Sequence, residues 1–177
     1  MGQFGFHFDM SRCIGCKACQ VACKDRHGLA AGDFFRRADI FASDADCDYY
    51  CYSGACSQCR EPECARGCPT GAMFQREDGT VGNDRHKCIG CGTCVWSCPF
   101  GAPVISARSG QARKCDSCSH ERQAGNQPVC AAACVSNCLT FGDIDELRER
   151  LGGTTEHALP FLPDAGTTCP ALLIMRS

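Results

Sequence analysis

The sequence predicts an α+β fold in which short strands, tight turns and short helices separate groups of closely spaced cysteines. The chain has 177 residues, enough for one domain or two small ones, and 20 of them are cysteine. The cysteines recur at intervals of three and four residues, and strand-like segments with turn sequences lie between their groups. This arrangement is expected of small α+β modules built around metal.

The predicted strands follow the cysteine groups in order. Residues 3–9 alternate between Phe and smaller or polar residues, which predicts a half-buried strand with His7 on its polar side. Residues 72–76 and 80–82 flank the turn sequence Glu-Asp-Gly and predict a hairpin. Residues 104–107 and 111–114, around Arg-Ser-Gly, predict a second hairpin.

One helix is predicted beyond the last cysteine group. Asp143 is expected to cap it, Ile144 and Leu147 lie on its apolar face, and Gly152 ends it. The segment 154–177 has three prolines and little periodicity, and is expected to form an extended tail. Its apolar run at 171–175 favours a buried strand over a docking patch.

The composition excludes several classes of protein. A cysteine share above roughly 8–10% usually indicates a secreted disulfide scaffold. No secretion signal is expected, however, because residues 1–13 lack a basic segment followed by a long apolar stretch, and the cysteines are too closely spaced for a disulfide framework. The net charge of −2, with both signs interspersed, argues against a nucleic-acid partner. No apolar run approaches the ~18 residues of a membrane span, so no direct span is expected.

Sixteen of the cysteines fall into four groups of four. Group one has the spacing C-x2-C-x2-C-x3-C, group three repeats it, group two has a longer second gap, and group four contains an eleven-residue loop. The groups are Cys13, Cys16, Cys19 and Cys23; Cys56, Cys59, Cys64 and Cys68; Cys88, Cys91, Cys94 and Cys98; and Cys115, Cys118, Cys130 and Cys134.

This spacing predicts iron-sulfur clusters. Three thiolates separated by two residues each can surround one face of a cubane, whereas the fourth cysteine points away and serves a second cluster. In ferredoxin-type proteins such groups therefore occur in twos, so four groups predict four 4Fe-4S clusters in two reciprocal pairs. Zinc prefers a tetrahedral site built from two C-x2-C pairs and has no use for the third and fourth cysteines. A zinc-stabilised interaction protein, which would be colourless, is the alternative from another class.

Four cysteines lie outside the groups. Cys47, Cys51, Cys138 and Cys169 are expected to be ordinary buried or free thiols, because cysteine is among the most buried residue types. Cys138 has a second interpretation, since Val135 follows Cys134 where groups two and three have proline. Cys138 could therefore replace Cys134 as a ligand, although we expect Cys134 to be the ligand.

Together with these groups, several other segments resemble one known family. They are CIGCKAC at 13–19, ACKD at 22–25, FRR at 35–37, CPTGAM at 68–73, REDG at 76–79, CPFGAP at 98–103, KCD at 114–116 and FGDIDELR at 141–148. The protein resembles the four-cluster iron-sulfur subunits of the dimethyl sulfoxide reductase family of membrane-bound molybdenum oxidoreductases, from Phe4 to about Leu151.

The resemblance implies the pairing of the groups. Group one pairs with group four, and group two with group three, in that family. The implied ligand sets are Cys13, Cys16, Cys19 and Cys134; Cys23, Cys115, Cys118 and Cys130; Cys56, Cys59, Cys64 and Cys98; and Cys68, Cys88, Cys91 and Cys94. An outer ferredoxin-like module, residues 1–55 with 108–142, would thus enclose an inner module, residues 56–107, and 143–177 would form the helix and tail.

The resemblance also implies the type of each cluster. Relatives from nitrate reductases carry tryptophan at the position of Cys91 and hold a 3Fe-4S cluster there. This protein has cysteine, so four 4Fe-4S clusters are expected. Trp96 lies elsewhere in the group and is expected to pack within the protein.

The function implied is electron transfer, and no residue is expected to be catalytic. The partners implied are a molybdopterin-containing catalytic subunit and a membrane anchor that oxidises quinol. The subunit would lie at the outer face of the cytoplasmic membrane after export with its catalytic partner, or else in the cytoplasm. A free-standing polyferredoxin is the alternative, and the substrate is not specified by the sequence.

Basic residues adjacent to the ligands would raise cluster potentials if they lie near a cluster, and are otherwise surface or docking charges. These residues are Arg12, Lys17, Lys24, Lys87, Arg113 and Lys114.

Overall fold

The computed structural model describes residues 2–42, 49–154 and 159–176. The strands are β1 (Phe4–Asp9), β2 (Arg37–Ala42), β3 (Tyr49–Gly54), β4 (Met73–Gln75), β5 (Val81–Asn83), β6 (Val104–Ile105), β7 (Ala112–Arg113), β8 (Leu139–Asp143) and β9 (Leu172–Met175). The α-helices are α1 (Ala18–Arg26), α2 (Glu63–Arg66), α3 (Thr93–Ser97), α4 (Ser119–Gln123), α5 (Val129–Ala132) and α6 (Ile144–Leu151). The architecture is therefore mixed, with short strands and short helices.

A three-stranded sheet with the order β8-β1-β9 closes one side of the protein. β1 pairs antiparallel with β8 and parallel with β9, so the predicted first strand and the predicted terminal strand are both confirmed and lie side by side. Phe6 and Phe8 pack with Phe141 on the face that adjoins the cysteines. This face continues the apolar core toward the first and fourth cysteine groups.

The other face of the sheet is covered by α6, so β1 is buried on both faces and not on one. α6 begins where the Asp143 carboxylate accepts the N–H groups of Asp145 and Glu146, as the capping pattern predicted. Ile144 and Leu147 are buried with the β9 residue Leu173, which lies opposite His7. The expected polar environment of His7 was therefore wrong, and burial lowers the pKa of this imidazole although Asp9 acts to raise it.

Within the described residues, three pairs of antiparallel strands lie between the cysteine groups. β4–β5 and β6–β7 are the two predicted hairpins, each shorter than the sequence indicated. The hairpin β2–β3 was not predicted, because Ala38 is the one fully buried residue of β2 and the strand lacks an apolar alternation. Trp96 in α3 is 89% exposed, so the expectation that it packs within this protein was wrong.

The helices bring the cysteine groups together in twos. α1, from group one, packs against α5 of group four, and α2 of group two packs against α3 of group three. Among the residues that the structure describes, no helix is long and apolar enough to cross a bilayer.

The fully buried Gln58 joins three parts of the fold. Its Oε1 accepts the N–H of Val81 at 2.8 Å, and its Nε2 contacts the carbonyl oxygen of Cys115 at 3.4 Å. Its own carbonyl accepts Nε2 of Gln3 at 2.8 Å. The side chain therefore links group two to β5 and to group four.

Gln58→Ala is expected to destabilise the protein by about 2–4 kcal/mol, because it leaves buried polar backbone groups unpaired and opens a cavity. Thermal loss of the visible absorbance of anaerobic protein measures the effect. Gln123→Ala, at an exposed position of α4, is the control and should leave the transition unchanged. Equal transitions for the two variants would show that the Gln58 bridge contributes nothing.

Candidate metal centre

All four cysteine groups contain the same backbone turn. The residue before the second cysteine has a left-handed conformation in each group, with φ of 66° at Gly15, 47° at Gln58, 73° at Gly90 and 58° at Ser117. A left-handed residue within such a turn directs successive N–H groups to one side, where they favour a negatively charged group. Each C-x2-C segment is therefore shaped to surround an anionic centre.

Each group continues into a short helix that carries its third cysteine. Cys19, Cys64, Cys94 and Cys130 lie in α1, α2, α3 and α5 respectively. The fourth cysteine follows four residues later and lies in the helix or just beyond its end. Two helices that pack side by side can thus exchange their fourth cysteines.

The turn after the fourth cysteine explains why Val135 is tolerated in place of proline. Gly71 and Gly101, three residues after Cys68 and Cys98, have φ of 65° and 57°, and Asn137 has 50° at the equivalent place after Cys134. Each N–H donates to the carbonyl of its cysteine, at 3.3, 3.1 and 3.1 Å respectively. Asn adopts this conformation more readily than other residues with a side chain. Group four therefore keeps the turn without proline.

Two of the predicted ligand sets line small cavities. Cys13, Cys16, Cys19 and Cys134 line one of them, and we call this set the first quartet. Cys68, Cys88, Cys91 and Cys94 line another, and form the fourth quartet. Each cavity combines three cysteines of one group with the last cysteine of the partner group, and Cys138 also lines the first cavity.

The second quartet consists of Cys23, Cys115, Cys118 and Cys130, all buried. Burial raises the pKa of Cys23 to about 12, and the neighbouring charges of Cys130 and Cys118 act in the same direction. Burial also raises the pKa of Cys115 well above its usual value, to which Cys23 and Cys130 add. Cys23, Cys115 and Cys118 thus each lie near Cys130, and Cys115 also lies near Cys56 of group two.

The third quartet consists of Cys56, Cys59, Cys64 and Cys98. Burial raises the pKa of Cys64 to about 12, and the charges of Cys56, Cys98 and Cys59 contribute to the increase. The pKa of Cys59 is likewise raised to about 12 by burial, with contributions from Cys56 and Cys98. The structure thus brings together the members of each predicted set.

The donor set fits iron-sulfur clusters. Each quartet offers four sulfur ligands and no oxygen or nitrogen ligand, which is the set that 4Fe-4S clusters use. Cysteine binds metal as the thiolate, which burial alone disfavours. The positive charge of bound iron would stabilise these buried thiolates. Within residues 2–42, 49–154 and 159–176, no three His, Cys, Asp or Glu side chains lie close enough to hold a single metal ion.

Lys114 lies between the second and third quartets. Its Nζ is 3.6 Å from Sγ of Cys56 and donates to the carbonyl oxygens of Val81 and Cys115, at 2.5 and 2.7 Å. Of the six basic residues singled out in the sequence, it is the one that is buried, while Arg12, Lys17 and Lys87 are exposed. Lys24 and Arg113 are partly buried and donate to backbone carbonyl groups.

Arg36 and His27 were not anticipated as part of the site. Arg36 is buried beside the first and second quartets, thirteen residues after Cys23 in the sequence. The FRR segment at 35–37 belongs to the family resemblance and could have indicated Arg36. The search for basic residues next to a ligand in the sequence could not, because Arg36 is not adjacent to a cysteine. The Nε2 atom of His27 lies 3.8 Å from Sγ of Cys118, and burial lowers the pKa of this imidazole.

Two of the four additional cysteines adjoin the first quartet. Cys138 is buried, with its Sγ 3.4 Å from Sγ of Cys134, and Cys51 is buried beside Cys13. Cys169 is exposed, and Cys47 lies outside the described residues.

The hydrogen bonds around Cys134 favour it over Cys138 as a thiolate. Burial acts to raise the pKa of Cys134, but hydrogen bonds from Cys138, Ser136 and the N–H of Leu139 lower it. Burial raises the pKa of Cys138. Cys68, at the corresponding place in group two, also has its pKa lowered by backbone N–H groups against the effect of burial.

Family comparisons define the class of this metal centre. A family model described as a 4Fe-4S dicluster domain matches residues 47–144, and one described as a 4Fe-4S binding domain matches residues 4–25. The first covers more than half of the sequence. The protein therefore binds 4Fe-4S clusters, and the zinc alternative is set aside.

Similarity to whole proteins identifies the family more narrowly. The B subunit of the anaerobic dimethyl sulfoxide reductase of Escherichia coli (strain K12) is 40% identical over 182 residues, which cover 97% of this protein and 88% of the relative. The probable anaerobic dimethyl sulfoxide reductase subunit YnfG of the same strain is 41% identical over the same shares. The thiosulfate reductase electron transfer subunit PhsB of Salmonella typhi is 39% identical over 81% of this protein and 78% of its own length. The protein belongs to the iron-sulfur subunits of the dimethyl sulfoxide reductase family.

Proposed function

We propose that this protein is a non-catalytic subunit that relays single electrons through four 4Fe-4S clusters between a molybdopterin catalytic subunit and a quinol-oxidising membrane anchor. Such clusters accept and donate one electron at potentials of roughly −700 to +450 mV, according to their surroundings. The protein's own contribution is to hold, bury and tune them. Each of the four quartets would ligate one cluster.

The observation that carries this proposal is the exposure of the sixteen thiols. Cys16 and Cys91 are the exposed ones, and they belong to the first and the fourth quartets. The second quartet is fully buried, and the third is buried except for the partly exposed Cys98. A series with a buried middle and two exposed ends suits transfer between two partners.

The quartets also adjoin one another in this order. Cys19 of the first quartet interacts electrostatically with Cys130 of the second, and Cys115 of the second with Cys56 of the third. The packing of α2 against α3 brings the third quartet next to the fourth. These contacts support an outer module of residues 1–55 with 108–142 around an inner module of residues 56–107, followed by the helix and tail of 143–177.

Exposed apolar side chains surround both ends of the series. Ile14 lies in the wall of the first cavity and Ile89 in that of the fourth, and each is 68% exposed. Val21 and Ile40 are exposed near the first quartet, and Trp96 near the fourth. Large apolar residues that remain exposed beside a functional site are typical of interfaces.

The relatives support the proposed partners. Their names describe subunits of anaerobic dimethyl sulfoxide reductase and a thiosulfate reductase electron transfer subunit, which are parts of larger enzymes. We infer a complex of the same type, attached to the membrane through its anchor on the outer face after export with the catalytic subunit. A cytoplasmic location and a free-standing polyferredoxin are the alternatives.

Anaerobic purification of the untagged protein from its source is the test. We expect a much larger molybdenum-containing polypeptide to accompany it. An isolated monomer that carries electrons among soluble proteins would instead establish the polyferredoxin function.

Val21→Asp and Trp96→Asp are each expected to release one partner and retain the other, because they place a charge at opposite ends of the series. The composition of the purified complex measures the effect, and each variant is the control for the other. Both substituted side chains are exposed, so cluster content should remain unchanged. Retention of the whole complex by both variants would contradict the assignment of these ends as interfaces.

A further inference from the structure

Arg36 is a buried cation without a carboxylate partner in the part of the sequence that the structure describes. It precedes β2 and is 2% exposed. Its Nη1 donates to the carbonyl and the hydroxyl of Ser53, at 2.8 and 3.1 Å, and the guanidinium lies 4.6 Å from the ring centroid of Phe6. A buried charge requires compensation, which neither Ser53 nor Phe6 supplies in full.

Cysteines of two quartets surround the Arg36 guanidinium. The Ser53 hydroxyl that accepts from Nη1 lies 3.3 Å from Sγ of Cys19. Burial acts to lower the pKa of Arg36, whereas negative charge on Cys130, Cys115, Cys19 and Cys23 would raise it. Cys19 belongs to the first quartet and the other three to the second. The backbone N–H of Arg36 also hydrogen-bonds the Cys23 thiol. The residue therefore lies where the two quartets meet.

Two of its N–H bearing atoms have no acceptor. Nε and Nη2 of Arg36 are fully buried and make no hydrogen bond within the described residues. Each buried donor left unpaired costs roughly 1–3 kcal/mol, and more on a charged group. A native protein rarely keeps two such donors on one side chain, which implies that an acceptor completes the site.

We propose that Arg36 bridges the first two metal centres, donating from Nε and Nη2 to sulfur atoms of the clusters held there and raising the reduction potentials of both. Hydrogen bonds to sulfur and a nearby positive charge both favour the reduced, more negative form of a cluster. The inference rests on the proposed function. Arg36 is a positioning and tuning residue, and it does not itself take part in electron exchange.

The alternative role for Arg36 is purely structural, as a tie between β2 and Ser53 of β3. Arg36→Gln separates the two roles, because it keeps an amide donor for Ser53 but removes the charge. Anaerobic redox titration of the holoprotein, followed by electron paramagnetic resonance, measures each potential. Arg37→Gln is the matched control, because Arg37 is adjacent and exposed.

In the Arg36→Gln variant we expect two of the four potentials to fall, each by a tenfold change in the reduction equilibrium, or about 59 mV for one electron. Iron content and the other two potentials should match those of Arg37→Gln. Unchanged potentials at full iron content, or a shift in only one, would overturn the bridge. A protein that lacks iron altogether would instead overturn the proposed function.

If the Arg36→Gln variant does not retain its clusters, a measurement on the unsubstituted protein tests whether Arg36 hydrogen-bonds two clusters. Protein labelled with ¹⁵N in the arginine guanidino groups is expected to show nitrogen hyperfine coupling to two clusters in pulsed electron paramagnetic resonance. Absence of coupling to either cluster would exclude the hydrogen bonds.

Discussion

Cys23→Ala is expected to remove the cluster of group four and to leave that of group one in place. The thiol follows Cys13, Cys16 and Cys19 in the sequence, yet it lies with Cys118 and Cys130 in the second quartet. Loss of one cluster removes about four irons per protein molecule. Iron analysis and the electron paramagnetic resonance spectrum of the reduced protein measure the change.

Comparison of variants shows which cluster is lost. Cys118→Ala should abolish the same resonance as Cys23→Ala, whereas Cys16→Ala should abolish a different one. Cys169→Ala, at an exposed thiol outside the quartets, should retain every resonance. If Cys23→Ala and Cys16→Ala removed the same signal, group one would hold its own cluster and the exchange between groups would be refuted.

Cys134→Ala is expected to eliminate the cluster of the first quartet, whereas Cys138→Ala should keep it. The two sulfur atoms are 3.4 Å apart, so proximity alone does not distinguish them. The turn at Asn137 and the N–H of Leu139 stabilise a thiolate at Cys134, as the equivalent N–H of Met73 does at Cys68. Cys134 is therefore expected to be the ligand.

Iron content of the two variants, purified side by side without oxygen, tests this expectation. The Cys134→Ala protein should have about four irons fewer than the Cys138→Ala protein. The reverse result would make Cys138 the ligand, and equal, undiminished content would mean that each thiol can replace the other.

The elements that were predicted from sequence are those with a strong local signal. The Phe alternation of β1, the turn sequences of two hairpins and the cap at Asp143 depend on residues close together in the sequence. β8 and the hairpin β2–β3 were missed because their pairing is long-range or their strands carry few apolar residues. The second face of β1 was misjudged because α6, which covers it, lies far away in the sequence.

The features of the candidate site likewise divide into those with a local sequence signal and those that depend on long-range packing. Spacing alone predicted the sixteen thiols as ligands and their division into four groups, since each turn and helix is local. The partner of each group was implied by family resemblance, and depends physically on packing of α1 with α5 and of α2 with α3. Arg36 could not be found by adjacency, because the backbone returns to the quartets only after α1 and a loop.

Iron and acid-labile sulfide in anaerobically purified protein give the most direct test of the central claim, that sixteen thiols in four quartets hold four clusters. We predict about sixteen iron atoms and about sixteen sulfides per protein molecule. The protein should be brown and absorb at about 400 nm. Colourless protein without iron, or brown protein with only about eight irons in fully loaded material, would contradict it.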